Sequence, residues 1–231
     1  MQGEHSEDAY HLRDHLGAVC GRKIAANSPA LMKMLELDLP ICGLITGQLA
    51  LPTRSEVHLS DYAHLVLEPE FATVIGREVP SSTVLSTKIL GHYVDRFSMA
   101  FEALDCRNEM NSMQGPAFVV NNVLNAGIML DNAAIDMVAL DKKAFEASFT
   151  AVDEVMLENE NNTLQNQLEA CTFVINRFTA RGEAVKIGEV FLCGAYHPPM
   201  IIGDEFCRVF TLSSGEEFSL SIFANKLIPQ L

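Results

Sequence analysis

The sequence lacks several features that define whole classes of protein. It has no cluster of lysine and arginine, and 30 acidic residues against 16 basic ones give a formal net charge of −14. Such a chain repels a polyanion, so nucleic-acid binding is excluded. Its longest apolar stretches, near residues 65–67 and 118–130, are interrupted by Glu, Asn or Gly. Both fall well short of the ~18 residues that a bilayer span requires, so no membrane association is expected.

Targeting segments and paired cysteines are also missing. Met1 leads into Glu4, Glu7 and Asp8 rather than into a basic and then apolar segment, which predicts no secretory signal and a cytoplasmic protein. The six cysteines stand apart, without a CxxC pair, and most have apolar neighbours. Buried thiols are therefore favoured over disulfides or a zinc site.

What is present is enough for one sizeable core. The chain has 231 residues, of which 48% are hydrophobic, and its composition stays even from end to end. It contains no internal repeat, low-complexity tract or Gly/Ser linker. We therefore expect a single domain over residues 1–231.

Periodicity and capping residues predict a few helices. Ser28 followed by Pro29 is a good N-cap and first helical residue, and Gly182 is a suitable C-cap. The helices are predicted at residues 7–18, 28–37, 80–90 and 164–181.

Short apolar or alternating runs predict more strands than helices. They lie at residues 64–76, 98–105, 117–120, 126–130, 137–140, 189–194, 206–212 and 217–223. Residues 213–216 are expected to join the last two strands as a hairpin. Many strands with a few helices outside them predict an α+β domain with a mixed β-roll or barrel-like sheet.

Acidic residues interrupt two of these strands. Glu68 and Glu70 project from one face of the strand at residues 64–76, because residues two apart share a face. Buried side by side they would repel each other unless they are protonated, paired or neutralised by a cation. Glu102, embedded in the apolar run at residues 98–105, is the natural third carboxylate. The three predict an oxygen-ligand site for a hard divalent cation, with Mg²⁺ favoured. The alternative is an edge strand whose Glu68 and Glu70 face solvent, with Pro69 marking that edge.

Four segments carry a resemblance to a known family. They are GRKIA at residues 21–25, LEPEFATVIGREVP at 67–80, FEALDCR at 101–107 and GEVFLCGA at 188–195. In order and approximate spacing they resemble the 2-keto-4-pentenoate hydratases of aromatic-compound catabolism, within the hydratase and decarboxylase branch of the fumarylacetoacetate hydrolase superfamily. The resemblance runs from about residue 8 to residue 223 and implies the curled mixed β-roll with flanking helices of that family's C-terminal domain.

The resemblance also implies roles for particular residues. Glu68, Glu70 and Glu102 correspond to the family's ligands for Mg²⁺ or Mn²⁺, and Asp105 is the competing third ligand. Lys23 corresponds to the lysine beside the bound substrate, with a solvated surface lysine as the alternative. Gly194 and Ala195 resemble the loop whose backbone closes over the substrate carboxylate.

A lyase reaction on small anionic 2-oxo or 2-hydroxy-dienoic acids is implied in turn. The reaction would add water to 2-hydroxypenta-2,4-dienoate or decarboxylate a 2-oxo diacid, with the metal stabilising an enolate. Lys23 would steady that charge or shuttle a proton, and Arg22 would help to reverse the local sign for an anionic ligand. Family members usually assemble, so a homo-oligomer is expected.

The chain departs from the family at several positions. Its N-terminal segment is shorter, and Gln48 and Asn121 stand where hydratases carry acidic residues, which removes two possible bases. Gln48 and Asn121 therefore become substrate-binding candidates. Asn122 is a turn residue or a further hydrogen-bonding group, and His197 is an exposed loop residue or an acid–base group. Two other functions stay open: an acylpyruvate-type hydrolase that cleaves a carbon–carbon bond, and a non-catalytic protein that keeps the metal and small-acid pocket.

Overall fold

A computed structural model describes residues 17–47, 50–51, 56–106, 122–131, 134, 148–151, 154–157, 164–195, 199–202, 208–213 and 217–223. Over these residues the chain forms a mixed, curled half-barrel sheet with few helices, which confirms the predicted α+β class. The described strands, in chain order, are β1 (Val19–Ala25), β2 (Ile41–Thr46), β3 (Ala50–Leu51), β4 (Glu56–His58), β5 (Leu65–Ile75), β6 (Val94–Asp105), β7 (Asn125–Leu130), β8 (Ser148–Ala151), β9 (Glu154–Leu157), β10 (Val190–Ala195), β11 (Met200–Ile201), β12 (Arg208–Ser213) and β13 (Glu217–Phe223). The described helices are α1 (Pro29–Met34), α2 (Thr87–Leu90) and α3 (Leu164–Thr179), with single 3-10 turns at Leu59–Asp61 and Asn122–Leu124.

Two sheets organise these strands. The larger has the order β2-β1-β10-β5-β6-β7-β3, with β11 also paired to β5, and the smaller has the order β4-β13-β12-β8-β9. In the larger sheet β1 runs parallel to β10, whereas β5 is antiparallel to both β10 and β6. The predicted hairpin of β12 and β13 is confirmed as an antiparallel pair in the smaller sheet.

The long pair β5 and β6 presents two different faces. One, the helix face, carries the bulky apolar side chains of Leu67, Phe71 and Phe101 into the core beside α3. The other, the site face, is lined by smaller apolar groups such as Ala72 and Ala100. Because side chains alternate along a strand, each residue on these strands is committed to one face by its number alone.

Helices α1 and α3 form as their sequences predict. In α1 the Ser28 hydroxyl oxygen accepts a hydrogen bond of 3.2 Å from the Leu31 amide, and Pro29 begins the helix. In α3 the side chains of Cys171, Val174, Ile175 and Phe178 are buried at three- and four-residue intervals, in a cluster that includes residues of β1 and β10. No helix among the described residues is long and apolar enough to cross a bilayer.

The prediction of a helix over residues 80–90 is wrong for most of its length. Only Thr87–Leu90 is helical. The side chain of Asn176 donates to the Leu85 carbonyl oxygen at 2.9 Å and accepts from its amide at 2.8 Å, while the Thr179 hydroxyl donates to the Thr83 carbonyl at 2.6 Å. The backbone groups of this segment are therefore satisfied by α3 rather than by a helix of their own.

The sequence does not predict four described strands of the larger sheet, β1, β2, β3 and β11, or three of the smaller sheet, β4, β8 and β9. The predicted strands at residues 117–120 and 137–140 lie outside the described residues, as does nearly all of the predicted helix at residues 7–18. The remaining predicted strands and the helix at residues 164–181 are confirmed within a few residues.

Candidate metal centre

Two antiparallel strands place the three carboxylates. Glu68 on β5 is the register partner of Glu102 on β6, and Glu70 follows two residues further along β5. All three side chains therefore project from the site face. One carboxylate oxygen of each residue lies within 4.8 Å of those of the other two. The structure brings together the three acidic residues that the sequence singles out.

Glu68 and Glu70 lie on a central strand of the larger sheet. β5 is flanked by β10 and β6, so the alternative of an exposed edge strand is wrong. On the same strand, Glu70 is paired with Ala195 of β10 and Leu67 with Met200 of β11, so β5 has neighbours on both sides.

Burial and mutual repulsion raise two of the carboxyl pKa values. Glu70 and Glu102 are each 1% exposed, and Glu68 is partly buried. Loss of hydration, followed by the charge of Glu102, raises the pKa of Glu68 to about 7. The pKa of Glu70 is raised well above its ordinary value by burial and then by the charges of Glu102 and Glu68. The Lys23 ammonium opposes both shifts.

Lys23 projects from β1 into the same group of charges. It is 1% exposed, so the alternative of a solvated surface lysine is wrong. Its Nζ forms a buried ion pair with Oε1 of Glu102 and donates to the Val123 carbonyl oxygen at 3.2 Å. Asn125 donates from Nδ2 to the same Glu102 oxygen at 2.6 Å. Asn125 carries no functional signal in the sequence, because an asparagine at a strand entrance is typical of an ordinary turn.

Gly194 reaches the cluster through its backbone. It lies at a bulge in β10 with φ of +118°, a conformation that favours glycine, and its amide donates to Oε2 of Glu70 at 2.8 Å. A Cβ at this position would also approach Nδ2 of Asn27 to 2.9 Å. Ala195 is the register partner of Glu70. Both loop residues named from the resemblance therefore adjoin a carboxylate of the cluster.

Arg22 is not part of this group, which corrects the expectation that it helps to bind an anionic substrate. As the neighbour of Lys23 on β1, it projects from the helix face. Its guanidinium forms an ion pair with Glu189, lies 3.7 Å from a carboxylate oxygen of Glu183, and stacks over the Phe178 ring at 4.4 Å. The sheet separates it from the three carboxylates.

The competing third ligand is engaged elsewhere. Oδ1 of Asp105 accepts hydrogen bonds of 3.0 Å from the backbone amides of Ala63 and His64, so it fixes the turn before β5. The structure favours Glu102 over Asp105 as the third carboxylate. The candidates Gln48, Asn121 and His197 lie outside the described residues.

The residues present fit a hard divalent cation. Three ionised carboxylates and one ammonium would leave about two uncompensated negative charges in a region with little access to water, and such an excess is costly. Oxygen ligands of this kind are those that Mg²⁺ and Mn²⁺ prefer. Either protonation, as the raised pKa values of Glu68 and Glu70 indicate, or a bound dication resolves the excess.

Comparisons with known proteins identify distant relatives in sequence and solved structures with the same fold. Solved structures with the same fold include proteins of the fumarylacetoacetate hydrolase family and a decarboxylase. The resemblance to the hydratase and decarboxylase branch of that superfamily is confirmed at the level of distant homologues and fold. No protein-family model matches the chain.

Particular relatives are as follows. A 2-keto-4-pentenoate hydratase of Paraburkholderia phymatum is 24% identical over 183 residues, which cover 79% of this chain and 70% of that protein. The 4-oxalocrotonate decarboxylase of Pseudomonas putida G7, solved with magnesium and adipate, aligns with a TM-score of 0.80 at 16% identity over 95% of this chain and 85% of that chain. The fumarylpyruvate hydrolase of Pseudomonas aeruginosa, solved with Mn²⁺ and pyruvate, aligns with a TM-score of 0.65 at 11% identity, over 88% of this chain and 89% of that chain.

Proposed function

We propose that this protein is a divalent-metal-dependent lyase, a hydratase or decarboxylase acting on small 2-oxo or 2-hydroxy-dienoic acids in the cytoplasm. The observation that carries the proposal is the cluster of Glu68, Glu70 and Glu102 on the site face, with Lys23 ion-paired to one of them. The distant homologues named as hydratases support the reaction class. The small acids bound by two proteins of the same fold support the substrate class.

Glu68, Glu70 and Glu102 would hold Mg²⁺ or Mn²⁺. A cation held by these residues would supply the positive charge that stabilises negative charge developing on a 2-oxo acid. Without a cation, those of the three carboxylates that are ionised would repel an anionic substrate.

Lys23 would stabilise negative charge and take part in proton transfer during the reaction. Its Nζ is already oriented by two acceptors, Glu102 and the Val123 carbonyl, so it needs no rearrangement to stay at the site. From this position it would steady negative charge on the substrate and hold or return a proton at Nζ. The Gly194 amide, which now donates to Glu70, and the backbone beside it would orient the substrate carboxylate.

An activity screen with and without metal tests the proposal. Purified protein is incubated with 2-hydroxypenta-2,4-dienoate, with a 2-oxo diacid and with an acylpyruvate, each in Mg²⁺, Mn²⁺ or excess chelator. Loss of dienoate absorbance identifies a hydratase, release of CO₂ a decarboxylase, and release of pyruvate from the acylpyruvate the alternative hydrolase. We expect one of the first two activities, and we expect the chelator to abolish it.

Mn²⁺ titration by calorimetry separates the remaining outcomes. Saturable binding of metal and of a 2-oxo acid without turnover would replace the lyase by the non-catalytic binding protein. No binding of Mn²⁺ at all would overturn the metal centre itself. The exposed Glu78, whose partner is Lys186 on the surface, provides a matched control: Glu78→Gln must leave binding and turnover unchanged.

We also propose that the chain assembles as a homo-oligomer, as the resemblance implies. Light scattering coupled to gel filtration measures this directly. A mass of several times 25.4 kDa supports assembly, and a mass of one chain rejects it.

A further inference from the structure

A buried turn beside the metal centre has an uncommon backbone. Asn122, Val123 and Leu124 have consecutive positive φ values of 50°, 54° and 61°, and all three residues are buried. Residues with a side chain rarely adopt this conformation, and a β-branched residue such as Val123 does so least readily. Such backbone persists only where the surroundings enforce it, and it is concentrated at functional sites.

The surroundings that enforce the turn can be identified. The Asn122 side chain accepts from the Leu44 amide at 2.8 Å and donates to the Leu44 carbonyl oxygen at 2.8 Å, so it occupies the place of a strand partner beside β2. Gly43 leaves the necessary room, since a Cβ there would lie 3.1 Å from Cγ of Lys23 and 3.3 Å from both Oδ1 of Asn122 and Cγ2 of Val123.

The turn delivers two groups to the site. The Val123 carbonyl oxygen accepts from Nζ of Lys23 at 3.2 Å, and Asn125, the next residue but one, donates from Nδ2 to Oε1 of Glu102 at 2.6 Å. Lys23 and Glu102 are themselves ion-paired. One short segment therefore contacts both Lys23 and Glu102.

The amide of Asn125 is only half used within the protein. Its Oδ1 is buried and has no hydrogen-bond partner among the described residues, although burying an acceptor in this way costs stability. Asn122 and Asn176, in contrast, each form hydrogen bonds through both ends of the side-chain amide. The free oxygen is suited to a water or a hydroxyl brought by a ligand.

We propose that the segment of residues 122–125, the positioning turn, is a second layer of the metal centre in which Asn125 orients Glu102 and Asn122 locks the turn. This inference rests on the proposed function only in assuming that the three carboxylates bind a divalent cation. Groups that hold a ligand carboxylate commonly contribute a factor of 10–100 to metal affinity. Asn122 and Asn125 are positioning residues, since they act through Glu102 and Lys23.

Asn176 offers a control of the same chemistry in a different place. Its side chain also bridges the amide and carbonyl of one residue, Leu85, but does so between α3 and a loop on the helix face. Asn122→Ala and Asn176→Ala therefore each remove two hydrogen bonds of the same kind, one to a backbone amide and one to a backbone carbonyl. The experiment measures the Kd for Mn²⁺ by calorimetry and the Tm of the metal-free protein for wild type, these two variants and Asn125→Leu.

We expect Asn122→Ala and Asn176→Ala to lower Tm by similar amounts. We expect Mn²⁺ affinity to fall by about tenfold in Asn122→Ala and Asn125→Leu, and to stay within twofold of wild type in Asn176→Ala. Wild-type affinity in both turn variants would overturn the positioning role while leaving the metal centre standing. If wild-type protein binds no Mn²⁺, the proposed function and this inference fall together. Should Asn122→Ala not fold, Asn125→Leu, which leaves the Asn122 contacts in place, decides the question alone.

Discussion

Arg22 and Lys23 are adjacent buried cations with opposite surroundings. Arg22 faces α3, where it pairs with Glu189, lies near Glu183 and stacks on Phe178. Lys23 faces three carboxylates, two of which are as deeply buried as itself. One step along a single strand therefore separates a buried ion pair from a group that, with all three carboxylates ionised, has an excess of about two negative charges.

This difference separates buried charges that stabilise the fold from buried charges that favour a bound ligand. A buried ion pair whose charges cancel and whose side chains also stack is compatible with a role in holding the fold. A group of like charges that the protein cannot neutralise alone is costly to keep, and its presence favours a ligand of opposite sign. The predictions below test this contrast between the two faces of β1.

The largest expected effect is the loss of metal binding in Glu70→Gln. Removal of one of three charged ligands should weaken Mn²⁺ binding by roughly 100-fold or more and abolish metal-dependent turnover. The metal-free variant should be at least as stable as wild type, because Glu70 is repelled by its neighbours and its pKa is raised well above the ordinary value. Calorimetry with Mn²⁺ and thermal unfolding measure the two effects.

Wild-type Mn²⁺ affinity in Glu70→Gln would contradict the assignment of this carboxylate as a ligand. A variant that binds no metal because it has unfolded is recognised by its circular dichroism. Glu78→Gln, the same substitution on the surface, serves as the matched control.

Arg22→Met should act on stability instead. It strands the buried Glu189 carboxylate, so we expect the free energy of unfolding to fall by about 3–5 kcal/mol, measured by urea titration. Mn²⁺ affinity of the folded protein should stay within twofold of wild type, because Arg22 lies on the other side of the sheet.

A double variant sharpens this test. Arg22→Met combined with Glu189→Leu removes both charges and should recover much of the lost stability. Loss of Mn²⁺ affinity in Arg22→Met, with the fold intact, would show that the two faces are not independent.

The adjacent residues Arg22 and Lys23 also illustrate which parts of the fold the sequence can predict. β5, β6 and α3 are predictable because their apolar periodicity is local. β1 is not, since its buried Arg22 and Lys23 break the apolar pattern, and its pairing with β10 joins residues almost 170 positions apart. The segment before α2 fails for a related reason: its local preference for a helix is overridden by hydrogen bonds from Asn176 and Thr179 of a distant helix.

The residues of the candidate site also divide into those that the sequence predicts and those that it does not. The convergence of Glu68 and Glu70 follows from strand alternation, and the addition of Glu102 needs only a pairing of two predicted strands. The expectation that Arg22 helps to bind substrate is wrong because it assigns Arg22 and Lys23 to one site. Neighbouring residues on a strand project from opposite faces. Asn125 has no sequence signal, since its role depends on a turn whose backbone is enforced by Asn122 and β2.

A smaller effect of opposite sign is expected from Lys23→Met. Without the Lys23 ammonium, the three carboxylates lose the positively charged side chain beside them. Their attraction for Mn²⁺ is then no longer offset by that nearby positive charge, so Mn²⁺ should bind about tenfold more tightly. Turnover should nevertheless be lost, because Lys23 is the proposed proton carrier. The affinity is measured at pH 8, where protons compete least for the carboxylates. Weaker binding than in wild type would indicate that Lys23 stabilises the bound state rather than offsetting its charge.

The smallest expected effect is a pH dependence of the metal-free protein. The pKa of Glu68 rises from 4.5 to about 7 on folding, so the folded state binds this proton more tightly than the unfolded chain does. Its contribution to stability is therefore fully present below pH 4.5 and is lost as the pH rises through about 7. Saturating Mn²⁺ should reverse the trend, because it binds the deprotonated form. The measurement compares the Tm of wild type with that of Glu68→Gln from pH 5 to pH 8, with and without metal. The difference between the two proteins reports the titration of Glu68 together with that of Glu70, whose pKa the Glu68 charge helps to raise. A difference that does not change with pH would contradict the raised pKa of Glu68.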